Sequence, residues 1–258
     1  MAANLKLLLP WIKPDSGPYT FDCIVYIYTA RTDQLFWSMP ELTSVSSLCE
    51  VVEVPGQRFA QNLFMAQPAL MSHLRFVFVL LDDILLSSDF SLSRLIDVMA
   101  NNHLTVASPR IQGANTGGGQ RFRLIMQALP VNGTLGYRTC FLEIFACLFT
   151  REAYRALWSL ISLENPFGWG YDLWYDGFAR RRVQGHAMGI VSIFSASHIQ
   201  NTGGIFRADN VSDREKWQAV VNQEKHFEKY LNIPLRTYRR KMRIRGKGWD
   251  GAVVGYLE

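Results

Sequence analysis

The feature that most constrains this chain is the run Phe76-Val-Phe-Val-Leu-Leu, followed at once by Asp82-Asp83. An apolar run without alternation predicts a strand covered on both faces, the pattern of a central parallel strand in an α/β sheet. Ligands of open α/β sheets bind at the carboxyl ends of such strands. Two adjacent carboxylates there repel one another unless a cation joins them. A divalent ion with oxygen ligands relieves that repulsion and can neutralise a diphosphate. A turn or helix-capping pair is the alternative. The hydrophobic strand in front of the pair favours the cation site.

The surrounding pattern predicts strands over residues 21–29 and 49–54. A helix is expected over 57–67, with Phe59, Leu63 and Ala66 on one face and Pro68 ending it. A helix over 91–101, capped by Ser91 or Asp89, leads to a strand at 105–108. Residues 21–108 thus read β-(α)-β-α-β-α-β, a Rossmann-like half. Residues 111–120 contain Gly117 to Gly119 but lack the strand context of a dinucleotide fingerprint, so a loop that orders on ligand binding is expected. The second half predicts strands at 122–129 and 141–149, then a helix from the N-cap Thr150 to about Ser162. A turn and another helix follow, then a strand at 187–195 with His198 just after it. From Asp213 the chain reads as helical, then basic and irregular. The expected organisation is a lead-in (1–19), one α/β domain (20–210, with halves at about 20–110 and 120–210) and a C-terminal extension (211–258).

Hydrophobic residues make up 48% of the 258, enough for a sizeable core. With 19% charged and 13% aromatic residues, disorder is excluded. The net charge of +5 is concentrated in Arg236, Arg239, Arg240, Lys241, Arg243, Arg245 and Lys247, with no acid among them. Such a run is either a solvated tail or a contact for phosphate, acidic glycan or anionic lipid. No nucleic-acid module accompanies it, so no nucleic-acid partner is expected. The four cysteines form no C-x-x-C pair; Cys23 and Cys147 lie in apolar runs and read as buried thiols, neither disulfide scaffold nor zinc site. The run 7–12 is broken by Pro10, too short for a membrane span and unlike a signal peptide. The expectation is no transmembrane segment, with a cytoplasmic location for the chain as given and a Golgi lumen if an anchor was removed. The sequons at Asn132 and Asn210 are of a kind that arises often by chance.

A second constellation is Phe167-Gly168-Trp169-Gly170-Tyr171-Asp172. Gly168 and Gly170 permit a tight turn, and Trp169 offers a face on which a sugar ring can stack. Asp172 falls at a helix N-terminus, where the macrodipole favours the carboxylate and where it can take a proton from an attacking hydroxyl. Asp176 lies one turn on, on the same face. An aromatic turn with a capping Asp is the alternative. His198 gains meaning only beside a metal at the acidic pair, because imidazole suits divalent transition ions.

In order and spacing these motifs resemble the GT-A glycosyltransferases, most closely the plant and bacterial family once labelled lysine-ketoglutarate-reductase trans-splicing related. The resemblance covers about residues 20–230. It is carried by Phe76 to Asp83, Ala107-Ser-Pro-Arg, the Phe-x-Glu-Ile strand and Thr-Arg-x-Ala-Tyr-Arg helix from Phe141 to Trp158, Trp169 to Asp172, and His198. The order is also similar to the β-1,4-galactosyltransferase group, where a Gly-Trp-Gly turn precedes a Glu-Asp pair; here Asp172 is followed by Leu173. The resemblance implies a mixed, mainly parallel sheet flanked by helices. It implies a nucleotide-sugar donor, a UDP-sugar favoured, and a glycan or other hydroxyl acceptor. Mn²⁺ or Mg²⁺ would be held by Asp83, Asp82 and His198, with Asp83 the direct ligand. Tyr28, Thr29, Arg31, Arg58, Asn62 and Asp82 would lie near the donor, and Trp169, Gly170, Tyr171 and Asp176 near the acceptor. Asp172 would act as base, with Glu143 on the preceding strand as second candidate, and Lys247 or nearby arginines would fold over the phosphates. A non-catalytic nucleotide-sugar or carbohydrate-binding module of this fold is the competing expectation. A metal-dependent phosphoesterase is a third, disfavoured because the five His are scattered.

Overall fold

The computed structural model describes residues 19–27, 47–81, 84–112, 133–144, 146–166, 168, 170–198, 213–231 and 253–257. Near the start, β1 (Ile24–Ile27) and β2 (Glu50–Glu53) form a parallel two-stranded sheet in register from Ile24↔Glu50 to Ile27↔Glu53. Helix α1 (Phe59–Met65) follows β2. A seven-stranded mixed sheet holds β3 (Phe76–Leu80), β4 (Ile84–Leu86), β5 (Val106–Gln112), β6 (Gly136–Thr139), β7 (Ala146–Thr150), β8 (Met188–His198) and β9 (Val253–Leu257). Its order is β3-β7-β5-β8-β6-β9, with β4 paired to the far part of β8. Helices α2 (Leu92–Asn101), α3 (Arg151–Leu160), α4 (Tyr171–Arg182) and α5 (Asp213–Leu231) complete the described elements.

Local chemistry explains the helices. Ser91 Oγ accepts from the Arg94 amide at 3.3 Å and starts α2, whose Leu92, Leu95, Ile96, Val98 and Met99 are buried along one stripe. Thr150 Oγ1 accepts from the Ala153 amide at 3.3 Å and starts α3 directly at the end of β7. Gly170, at φ 88°, turns the chain into α4, which ends on Arg180, Arg181 and Arg182, where cations suit the macrodipole. The core gathers the buried faces of these helices against β5, β7 and β8.

Several expectations are corrected. The strand Phe76–Leu80 lies at one end of the seven-stranded order and runs antiparallel to β7. An apolar run reports that both faces are covered; it carries no information on the direction of its partner. The sheet is likewise not mainly parallel: among the described residues of the seven-stranded sheet only β5 and β8 pair in parallel. The expected strand at 141–149 begins only at Ala146, so Glu143 stands in the connection before β7. His198 is the last residue of β8 rather than following it. The C-terminal region contributes β9 to the sheet through β6, where an irregular tail was expected. Cys23 is no buried thiol but is disulfide-bonded to Cys49, while Cys147 is a buried thiol outside any disulfide. The pairing follows from register. Each cysteine stands one residue ahead of its strand, so the Ile24↔Glu50 alignment sets the two opposite one another. The loop expected at 111–120 starts later, since Ile111 and Gln112 belong to β5; its remainder, the expected strand at 122–129 and the basic run 236–247 lie outside the described residues.

The core includes three tyrosines whose hydroxyls bond to backbone. Tyr154 donates to Ala66 O at 3.0 Å and Tyr175 to Ala153 O at 2.9 Å, and Tyr171 accepts from the Ser162 amide at 2.9 Å. Burial pushes the Tyr171 hydroxyl up to about 12, and burial raises Tyr154 and Tyr175 in the same direction. In the unfolded chain a tyrosine ionises near pH 10. The unfolded state therefore loses these protons first, and stability that is complete below pH 10 declines as pH rises toward 12. Tyr171 alone accounts for about 3 kcal/mol at the top of that window. Urea midpoints should be level up to about pH 10 and fall steeply above it. Gly136 gives a second prediction: a Cβ there would lie 1.9 Å from Ile190 O. Gly136→Ala should break the β6–β8 pairing and cost about 3 kcal/mol in urea unfolding.

Candidate functional site

The site is assembled at one end of the sheet by connectivity. Leu80, the last residue of β3, pairs with Ala146, the first of β7, so the segment leading to Asp82-Asp83 leaves the sheet where β7 enters it. Glu143 stands at that entrance; its side chain is 3% exposed and its carbonyl accepts from Cys147 Sγ at 3.2 Å. On the far side of the acidic pair, Ile84 opens β4 and pairs directly with His198, the last residue of β8. Opposed residues in an antiparallel ladder stand about 5 Å apart at Cα. Residues distant in sequence are thereby set beside one another by backbone register. On its other edge β8 pairs with the carboxyl end of β5, with Gln112 opposite Ser197.

Helix α3 leaves β7 without a loop and runs back over the sheet. Its first turn reaches the end of α1, where Tyr154 bonds the carbonyl of Ala66, and Trp158 Nε1 donates to Phe64 O at 3.0 Å with the two rings stacked at 5.2 Å. Beyond α3, the turn before α4 meets the start of α1: the Ala60 amide donates to Pro166 O at 2.9 Å. Gly168, at φ 70°, lies against Phe59, and a Cβ there would come within 2.7 Å of its ring. Only glycine allows both that backbone conformation and that approach. The start of α1 is also where the carboxyl end of β2 arrives, through Val54 and Gln57. Arg58 is its N-cap residue, and the Arg58 amide donates to Gln61 Oε1 at 2.8 Å.

The expected residues thus fall into two groups. Arg58 and Asn62 lie at the start of α1, which meets the turn through Ala60–Pro166 and Phe59–Gly168; Gly170 and Asp172 follow that turn, with Asp172 half-buried in the first turn of α4. Glu143 and the backbone of His198 lie at the sheet end that flanks the acidic pair. Tyr28, Thr29, Arg31, Asp82, Asp83 and Trp169 lie outside the described residues, and His198 is placed by its backbone alone. Among the described residues no three His, Cys, Asp or Glu side chains are gathered as a metal would need. Tyr171 is fully buried, with its hydroxyl held at Ser162.

Asp176 is also inside the protein. Its Oδ2 accepts from Arg180 Nε at 2.9 Å, and its Oδ1 faces His186 Nε2 at 3.5 Å, a Coulombic contact too long for a good hydrogen bond. His186 Nδ1 in turn lies 2.7 Å from Thr105 Oγ1, which ties α4 to the start of β5.

Two residues that sequence reasoning did not single out belong to this end of the molecule. Gln57 Oε1 and Arg110 Nε are buried with no hydrogen-bond partner among the described residues, as is Asn62 Oδ1. Arg110 follows the irregularity in the β5–β8 register, near the carboxyl end of β5. A charge that ends a buried strand was the available signal for Arg110; for Gln57 it was an amide just ahead of a helix. Buried polar atoms without partners cost about 1–3 kcal/mol each, so each of these is a place where a further polar partner would be stabilising.

The chain matches no protein-family model and no curated protein.

The burial of Asp176 yields a test of its role. Asp176→Ala leaves His186 and Arg180 without their carboxylate and should lower stability by about 2 kcal/mol in urea unfolding. Native stability in that variant would return Asp176 to the substrate contacts.

Proposed function

We propose that this chain is a metal-dependent glycosyltransferase of the GT-A type, moving a sugar from a nucleotide-sugar donor, a UDP-sugar favoured, to a hydroxyl of a glycan or other acceptor. The observation that carries the reading is the β4–β8 register, in which the residue after Asp82-Asp83 lies opposite His198. Two carboxylates and an imidazole, if gathered there, would form a donor set suited to Mn²⁺, and the carboxylates to Mg²⁺. Held by Asp83, Asp82 and His198, the ion would neutralise the diphosphate as it leaves. The remaining work falls to the chain's own side chains. Arg58 and Asn62, with Tyr28, Thr29 and Arg31 beyond β1, would bind the nucleotide where the parallel strands end. Trp169 would stack on the acceptor ring beside Gly170. Asp172, in the first turn of α4, would take the proton of the attacking hydroxyl, with Glu143 as the second candidate base.

A non-catalytic nucleotide-sugar or carbohydrate-binding module is the second reading. Leu173 stands where the related turn has a second acid, and Asp172 then has no carboxylate next to it in sequence.

The two readings part in one experiment. Thermal shift with UDP-, GDP- and CMP-sugars, with and without Mn²⁺, should show stabilisation by one donor that depends on the metal. That donor should be slowly hydrolysed, and Asp83→Ala should abolish both effects. Asp172→Asn should keep the Mn²⁺-dependent shift while lowering kcat by about 10²–10⁴-fold. Binding without turnover in any acceptor screen would select the module, and no metal-dependent shift with any donor would sink the enzyme.

A further inference from the structure

The small sheet lacks the usual means of holding itself together. It has two strands, paired in parallel over Ile24–Ile27 and Glu50–Glu53, and among the described residues no backbone ladder joins it to the seven-stranded sheet. An isolated pair of strands is marginal in water, and parallel pairing is the weaker kind. Apolar burial is partial: of the paired residues only Ile27 is fully buried, Tyr26 is half-buried against the core and Ile24 is 41% exposed. Asp22 meets His73 at 2.8 Å, but both side chains are mostly exposed, so the contact contributes little. Yet the carboxyl ends of these strands deliver Val54, Gln57 and Arg58 to the candidate site, where the Val54 amide donates to Ile27 O at 2.8 Å.

Tyr19, Phe21 and Tyr26 pack this segment on the main core, and a covalent restraint fixes the register of the two strands. Cys23 and Cys49 stand one residue ahead of each strand and are bonded, with Cα atoms 4.5 Å apart. The Glu50 amide donates to Cys23 O beside them at 2.8 Å. Closing the intervening loop removes conformations from the unfolded pair and leaves the native register as the available one.

We infer that the Cys23–Cys49 disulfide is a redox-sensitive staple that assembles the donor half of the site, so that nucleotide binding belongs to the oxidised chain and is lost on reduction. The donor-binding part of this inference rests on the glycosyltransferase reading; the staple itself does not. On formation the two thiols give up two electrons and two protons to a disulfide oxidant, which becomes a dithiol; a dithiol reductant reverses the exchange. Such a bond persists in an oxidising compartment and is rare where thiols are kept reduced. The inference therefore places maturation of the chain in an oxidising compartment.

Three measurements on the full chain test this. Alkylation of the denatured, unreduced protein should label two cysteines, Cys140 and Cys147; labelling of all four overturns the inference. Hydrogen exchange should quicken over 24–27 and 50–53 when dithiothreitol is added, while β5 and β8 stay protected. Equal protection of the small sheet in both states overturns the staple. Calorimetry with UDP and Mn²⁺ should show affinity falling about 10-fold or more on reduction, equivalent to about 1.4 kcal/mol. The double variant Cys23→Ser, Cys49→Ser should match the reduced protein without reductant, and unchanged affinity in it overturns the donor-affinity claim. If the oxidised wild type binds no nucleotide, the glycosyltransferase reading and the donor-affinity claim fall together, while labelling and exchange still decide the staple.

Discussion

The eleven-residue strand Met188–His198 hydrogen-bonds to three partners: β5 in parallel, β6 and β4 antiparallel. Its length lets one strand serve two purposes. The first part pairs with the front of β5 and with β6 in the buried middle of the molecule. The last part, after the register irregularity at Pro109/Arg110, carries β4 on one side and the end of β5 on the other. Because side chains alternate along a strand, a shift of one residue would turn every inward residue outward. The buried Ile190, Phe194 and Ala196 therefore hold the register, and the register in turn sets His198 across from Ile84. Placement at the candidate metal end is a consequence of packing well behind it.

The two glycines of the turn before α4 show a similar dependence. Gly168 admits Phe59, and Gly170 supplies the left-handed residue from which α4 begins. The Ala60–Pro166 hydrogen bond then couples the start of α1 to the start of α4. Residues far apart in sequence, Phe59 and Gly168, meet because one backbone comes close to an aromatic ring.

How much of this was readable from sequence depends on how local the determining physics is. The caps at Ser91 and Thr150, the helices they begin, the extent of β3 and the position of Asp172 in a first turn all follow from nearby residues. Partner direction does not, and β3 was misjudged for that reason. The strand Gly136–Thr139 has too few apolar residues to announce itself, and β9 exists because β6 offers it an edge. The disulfide was missed because it depends on register between strands that are far apart in sequence. Periodicity sets Asp176 one turn after Asp172, but its contacts with Arg180 and His186 depend on tertiary packing that the helical repeat does not reveal. The pairing of His198 with Ile84, the residue after the acidic pair, comes from the β4–β8 ladder, which no local sequence pattern announces.

The pairing of β9 with β6 has a kinetic side. On a ribosome, β6 is made long before Val253–Leu257, so one rim of the sheet stays bare while everything between them is synthesised. An unpaired rim is a template for other strands. The interval between translation of these two segments thus leaves that rim open to wrong pairing, which a chaperone holding it would prevent.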